Sequence, residues 1–172
     1  NLVVHAFAVT ARATGIGRDL TAPFFASMRR DLDDSPFDAA EVAVYIYGSA
    51  EVVGLMCLRA FLAGHPIRDD ERRMLEDGAK HLGAAFQKVN FLRDLAADFE
   101  TLGRSYFPDV NVSTFTEEEK VRLLDDIDAD LAVSAAVVPE LPASSRRAVA
   151  LAQSLFAELS VRLRRTPADQ LV

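Results

Sequence analysis

The chain has 172 residues, half of them hydrophobic and 26% charged, with a formal net charge of −7. That length supports one domain with a real core, and the acidic balance argues against a nucleic-acid binder and against simple electrostatic attachment to anionic lipid. The single cysteine, Cys57, excludes an intrachain disulfide and a cysteine-based metal site.

No run of about 18–20 uncharged apolar residues is present. Residues 1–14 lack the basic start and cleavage site of a secretory leader, so a cytoplasmic protein is expected. Helical periodicity runs throughout, with no alternating β-branched run and no Asn-Gly hairpin signal. Residues 1–13 predict a first apolar helix ending near Gly15 and Gly17. Thr21 as N-cap, with Pro23 in the first turn, predicts a second helix to about Leu32, broken by Asp34-Ser35-Pro36. Asp38, with Glu41 three residues on, opens a long third helix to about Leu62, stopped by Gly64-His65-Pro66. A fourth, longer helix covers about Asp69 to Leu102, with Gly103 as its C-cap. Beyond a loop holding Pro108, Thr116 and Glu119 make a capping box for a helix to about Val138. Pro139 and Pro142 mark a turn before a last helix, about Ser144 to Arg165, whose terminal arginines suit its dipole. One all-α domain over residues 1–172 is the economical reading.

The fourth helix carries the chemistry. Gly83, Gln87, Asn90, Asp94 and Asp98 fall within an arc of roughly 80° at 3.6 residues per turn. The rest of that segment is apolar nearly all round, which predicts burial. Buried carboxylates need a partner or a metal. Asp94 and Asp98, four apart, lie one above the other as oxygen ligands, and Mg²⁺ completes such a shell with water and phosphate oxygens. Arg93 beside them is a bidentate phosphate donor, and Gly83 leaves space for a substrate. On the third helix, Tyr45, Ser49, Val52 and Met56 share a face, and Gly48 and Ala50 are small enough to leave room for a chain. The alternatives are an ordinary solvated DxxxD and an ordinary core face.

The string from Gln87 to Asp98 (Q-x-x-N-x-x-R-D-x-x-x-D), followed by Gly103-Arg104-Ser105-Tyr106-Phe107-Pro108, resembles the second aspartate-rich signature of the phytoene/squalene synthase family. Tyr45 to Gly54 resembles the family's Y-x-Y-x-x-A-x-x-V-G helix, and Met28 to Leu32 the segment ahead of it. The resemblance implies an all-α isoprenoid synthase bundle around a central cavity. It also implies prenyl transfer joining two polyprenyl diphosphates head to head. Geranylgeranyl diphosphate as substrate and phytoene as product are expected, with farnesyl diphosphate and squalene or dehydrosqualene as the alternative. By the same resemblance Asn90, Asp94 and Asp98 serve Mg²⁺ (Mn²⁺ as substitute), and Gln87 and Arg93 the diphosphates. Ala50, Val53 and Gly54 line the prenyl cavity, and Tyr45 handles a proton near the cation. NADPH enters only for squalene. The partners implied are the prenyl diphosphates and a peripheral contact with the inner membrane face for product release.

Departures accompany the resemblance. The family's first aspartate-rich motif and its C-terminal helix are not found here, so the chain reads as trimmed and as inactive by itself. Asp31-Leu32-Asp33-Asp34 reads as a solvated helix end. Phe156 stands where many members carry tyrosine, and Glu51 where small residues are usual. A non-catalytic helical relative acting in assembly is the alternative from another class, and Asp94, Asp98 and Asn90 count against it. His81 lies outside the polar stripe, and Cys57 reads as a small core residue.

Overall fold

Each helix boundary has a local chemical cause. The computed structural model describes residues 1–33, 35–97 and 106–172, and among them every regular element is helical. Helix α1 (Leu2–Thr14) starts where the Asn1 side chain accepts from the Val3 amide, and ends at Gly15, whose φ of 72° suits only glycine at low cost. Helix α2 (Arg18–Arg30) begins three residues before the predicted Thr21. Gly17 is the extended N-cap, and the Thr21 hydroxyl donates back to the Gly17 carbonyl at 3.1 Å instead of capping.

The Asp38–Glu41 capping box forms as predicted, with bonds of 2.8 and 3.0 Å. The third helix is nevertheless not uniform. It divides into α3 (Ala39–Ile46), a π turn over Tyr47–Glu51, and α4 (Val52–Phe61). A π turn widens the helix locally and shifts every later side chain around its axis. The predicted shared face of Tyr45, Ser49, Val52 and Met56 is therefore broken up. Tyr45 packs with Phe37, Phe91 and Tyr106, Val52 and Met56 pack with Leu20 and Leu55, and Ser49 lines a cavity. Gly48 does not make room for a ligand either. A Cβ there would overlap the Pro23 carbonyl and Ser27 Oγ, so its smallness lets α2 approach. The stretch Ala39–Phe61 is long and apolar enough to cross a bilayer by length and composition. Here it packs against α2 and α5.

Helix α5 (Asp69–Arg93) runs antiparallel to α4. Added Cβ atoms fix the register: one at Gly54 would overlap the Ala79 carbonyl, and one at Gly83 the Ala50 carbonyl. The predicted continuous helix to Leu102 is interrupted at Asp94 (φ −98°, ψ 10°), after which 95–97 are helical again. Aspartate competes poorly as a helix former because its carboxylate takes local partners, and Asp94 takes Arg93. Helix α6 (Glu117–Val137) follows its predicted Thr116–Glu119 capping box. A short 3₁₀ turn, Val138–Glu140, leads to α7 (Ala143–Arg165). The largest core joins Ala85, Val89, Leu92 and Leu95 of the α5 stretch to Leu124, Ile127 and Leu131 of α6 and Leu163 of α7. Burying those side chains supplies about 1.5–3 kcal/mol for each large aliphatic residue. It also leaves the opposite face of α5 to line a cavity with α4.

Candidate active site

A cavity of about 440 Å³ lies between α4, α5 and α7. Its wall from the π turn and α4 includes Ala50, Val53, Gly54 and Cys57, and its α5 wall includes Gly78, Gly83 and Phe86. Phe86 stacks on Phe156 of α7, with ring centroids 3.7 Å apart and planes 15° from parallel. Two serines also line it. Ser134 Oγ is satisfied by donating to the Leu131 carbonyl at 2.9 Å. Ser49 Oγ is buried with no hydrogen-bond partner. The acceptor a helical serine ordinarily uses, four residues back, is the Tyr45 carbonyl, and here that carbonyl accepts from Ser27 Oγ at 3.3 Å.

Following α5 upward from Phe86, the next turns present Gln87, Asn90, Arg93 and Asp94. Arg93 grips Asp94 with both arms of its guanidinium, Nε to Oδ1 at 2.7 Å and Nη2 to Oδ2 at 2.6 Å. The pair is half exposed, with side-chain exposures of 51% and 42%. The hydrogen bond from Arg93 holds the Asp94 carboxyl below the usual carboxylate range, so it is ionised at neutral pH. Asp98, with Gly103, Arg104 and Ser105, lies outside the described residues. Among the described residues no group of three or more His, Cys, Asp or Glu converges on one metal position. The donors present fit Mg²⁺ in kind: an ionised carboxylate oxygen at Asp94 and an amide oxygen at Asn90, four residues earlier on the same helix.

The model of the squalene/phytoene synthase family matches residues 1–172. The chain belongs to that family. Its members are prenyl transferases that join prenyl chains head to head. Two curated relatives are bifunctional lycopene cyclase/phytoene synthases. The protein of Blakeslea trispora is 38% identical over 79 residues, 45% of this chain and 13% of that protein. The protein of Phycomyces blakesleeanus is 38% identical over 88 residues, 45% of this chain and 14% of that protein. The chain thus spans only a small part of the curated relatives it matches. In fold it is similar to the crystal structure of squalene synthase HpnC from Alicyclobacillus acidocaldarius. That likeness has a TM-score of 0.76 and 19% identity, over 94% of this chain and 64% of that one. The all-α isoprenoid synthase fold is thereby shown.

Against the family pattern, the structure brings Ala50, Val53 and Gly54 together on the cavity wall. Tyr45 is placed elsewhere. Its hydroxyl donates to Asp31 Oδ1 at 2.7 Å, and burial, then Asp31, pushes the phenol far above its ordinary pKa. Asp31 is therefore partly buried in that contact, while Leu32 and Asp33 are exposed, as the solvated helix end expected from sequence; Asp34 lies outside the described residues. Cys57 is an exposed cavity residue and not a core one.

Sequence reasoning also missed a second, polar cleft of about 270 Å³ on another face of α5, where Glu51 of the π turn meets Lys80, His81, Lys88 and Asp130. His81 Nδ1 lies 2.7 Å from Asp130 Oδ1, and Lys88 Nζ donates to Asp126 and Asp130 at 2.6 and 2.8 Å. The sequence signal was present but unpaired: a carboxylate in an apolar helix needs a cation from another element.

Proposed function

We propose that this chain carries the prenyl diphosphate site of a head-to-head prenyl transferase, and that its substrate is geranylgeranyl diphosphate, giving phytoene. The observation that supports this most is an apolar cavity along α5, the same helix whose next turns carry Gln87, Asn90, Arg93 and Asp94. From Asp94 down to Leu75, the lowest α5 residue on the cavity, α5 spans about 28 Å at 1.5 Å per residue. Four isoprenyl units at roughly 5 Å each, from C–C bonds of about 1.5 Å, take about 20 Å. A diphosphate with its cation takes roughly 7 Å at Mg–O distances near 2 Å. The sum is close to that helix span, which supports a four-unit chain when its diphosphate is held at Asp94.

In this reading Asn90 and Asp94, with Asp98, hold Mg²⁺, which when bound supplies the charge that the departing diphosphate requires. Arg93 keeps Asp94 ionised and oriented, and Gln87 and Arg93 bind diphosphate oxygens from the same end of the helix. The apolar walls exclude water and hold the chain extended, with its reactive end at the mouth. Tyr45, its phenol pushed far above the ordinary pKa by burial and Asp31, stays neutral and packs in the aromatic cluster beside Phe91.

The only cysteine supplies a direct test, because it lines the cavity. Geranylgeranyl diphosphate with Mg²⁺ is expected to slow alkylation of Cys57 by a small maleimide. Asp94→Asn should remove the Mg²⁺ dependence of that protection while protection by geranylgeraniol, which has no phosphate, persists. Unchanged alkylation in the presence of both ligands would sink the cavity assignment. Mg²⁺-dependent protection surviving in Asp94→Asn would sink the metal assignment.

A further inference from the structure

The π turn meets a different chemistry on each of its sides. Ala50 lies on the wall of the apolar cavity, and Glu51, one peptide further on, lies in the polar cleft on another face of α5. One close approach sets both residues: a Cβ on Gly83 would meet the Ala50 carbonyl and the Glu51 Cα. Val52, fully buried, anchors the turn behind them. A displacement of Glu51 against α5 therefore moves the cavity wall as well.

The cleft's cations are largely committed. Lys88 of α5 donates to Asp126 and Asp130 of α6, at 2.6 and 2.8 Å. His81 Nδ1 lies 2.7 Å from Asp130 Oδ1, and its Nε2 is 3.9 Å from Asp77. The α3 side chains lining the cleft, Ala43 and Ile46, carry no charge. Lys80 is the strongest charge favouring an ionised Glu51, with His81 and Lys88 also in favour and Asp130 against. Burial outweighs them and holds the proton on Glu51 beyond the ordinary carboxylate range. Once ionised, the carboxylate needs water or a cation.

We infer that Glu51 couples proton binding in this cleft to the fit of a ligand in the cavity on the other side of the π turn. The inference rests on the prenyl reading of that cavity given above. With Glu51 neutral, the turn stays seated on Gly83, and Ala50 keeps its place in the wall. With Glu51 ionised, the carboxylate draws towards water, the turn lifts from α5, and the wall loses its fit to a chain. The linkage is reciprocal: a ligand that pins Ala50 favours the protonated side chain. Ligand affinity therefore falls as pH rises through the range in which Glu51 loses its proton.

The test measures protection of Cys57, which lines the same cavity, by geranylgeraniol from about pH 5 to pH 8. Geranylgeraniol needs no metal and has no group that titrates in this range. The concentration giving half protection is read against the unliganded alkylation rate at each pH, so the thiolate fraction cancels. In wild type that concentration is expected to rise about fivefold across the range, the lower end of ordinary coupling between sites. Glu51→Gln, neutral and of the same shape, should hold the low-pH value throughout. Lys80→Met removes the charge that most favours ionisation and should move the rise to higher pH. Thermal melting at each pH verifies the folds. A flat wild-type profile, the same rise in Glu51→Gln or an unmoved rise in Lys80→Met would overturn the coupling while leaving the prenyl site standing. Failure of geranylgeraniol to protect wild type at any pH would instead remove the prenyl reading itself, and the coupling with it.

Discussion

Glu51 shows how one residue can be legible as an anomaly yet unreadable as a cause. Its carboxyl is pushed up from the ordinary range first by burial, with Lys80 the strongest group opposing that shift. Asp130 adds to the shift, while His81 and Lys88 oppose it. Because the folded-state pKa lies above the unfolded value of about 4.3, the native state keeps a proton that the unfolded chain releases. Stability therefore falls as pH rises through that window. Glu51→Gln removes the charge and keeps the shape. The variant should melt higher than wild type at pH 7, and the gap should close near pH 4, where both forms are neutral. A lower melting temperature at pH 7 would mean that the Lys80 pairing outweighs burial. Asp94 carries the opposite sign: its partner Arg93 depresses its pKa, so its ionised form survives well into acid.

At the scale of elements, the contact between the π turn and α5 governs the site. Gly83 lets the α5 backbone meet the Ala50 carbonyl, and Gly54 does the same against the Ala79 carbonyl. Gly→Ala in an exposed helix interior ordinarily stabilises by about 1 kcal/mol. Here the new methyl meets rigid backbone, so the sign reverses. Gly83→Ala should destabilise by about 1–3 kcal/mol, the usual cost of overpacking, read as a lower midpoint in urea with an unchanged slope. A rise in the midpoint would show that the helices separate at little cost. Gly83 lines the cavity, in keeping with the substrate space read from sequence, but its contact with Ala50 was not legible, because a glycine's neighbour across a helix interface cannot be read from its own helix.

For the whole molecule, Lys120 ties the chain's end to its middle. It follows three glutamates in the first turn of α6, yet its side chain is 1% exposed. Its ammonium donates to the Arg164 and Thr166 carbonyls at 3.3 and 2.5 Å, and pairs with Glu117 at 2.5 Å. It thereby satisfies carbonyls at the C-terminal end of α7, which have no helical partner. Lys120→Met keeps the apolar stem and deletes the donor. The expected loss is roughly 2–3 kcal/mol, the range for hydrogen bonds to a charged group. It should appear in thermal melting, together with faster amide exchange in residues 163–168. Normal exchange there would show that α7 is held by its apolar face alone.

By itself the sequence determined what depends on neighbours within a turn or two. The caps at Asp38 and Thr116, the stop at Gly15 and the all-helical class were legible because N-caps, left-handed glycines and 3.6-residue periodicity act locally. The composite motif from Gln87 to Pro108 likewise named the family, because its residues share one stretch of chain. The tertiary structure alone decided the rest. The π turn at Tyr47–Glu51 follows no local signal; it sits where Gly48 lets α2 press against the helix and Ser27 takes the Tyr45 carbonyl. That turn removes Tyr45 from the face it was expected to share with Ser49, and gives it to Asp31. The cavity between the helices and the burial of Lys120 depend on residues far apart in sequence, where side-chain volume and unpaired carbonyls of different helices meet.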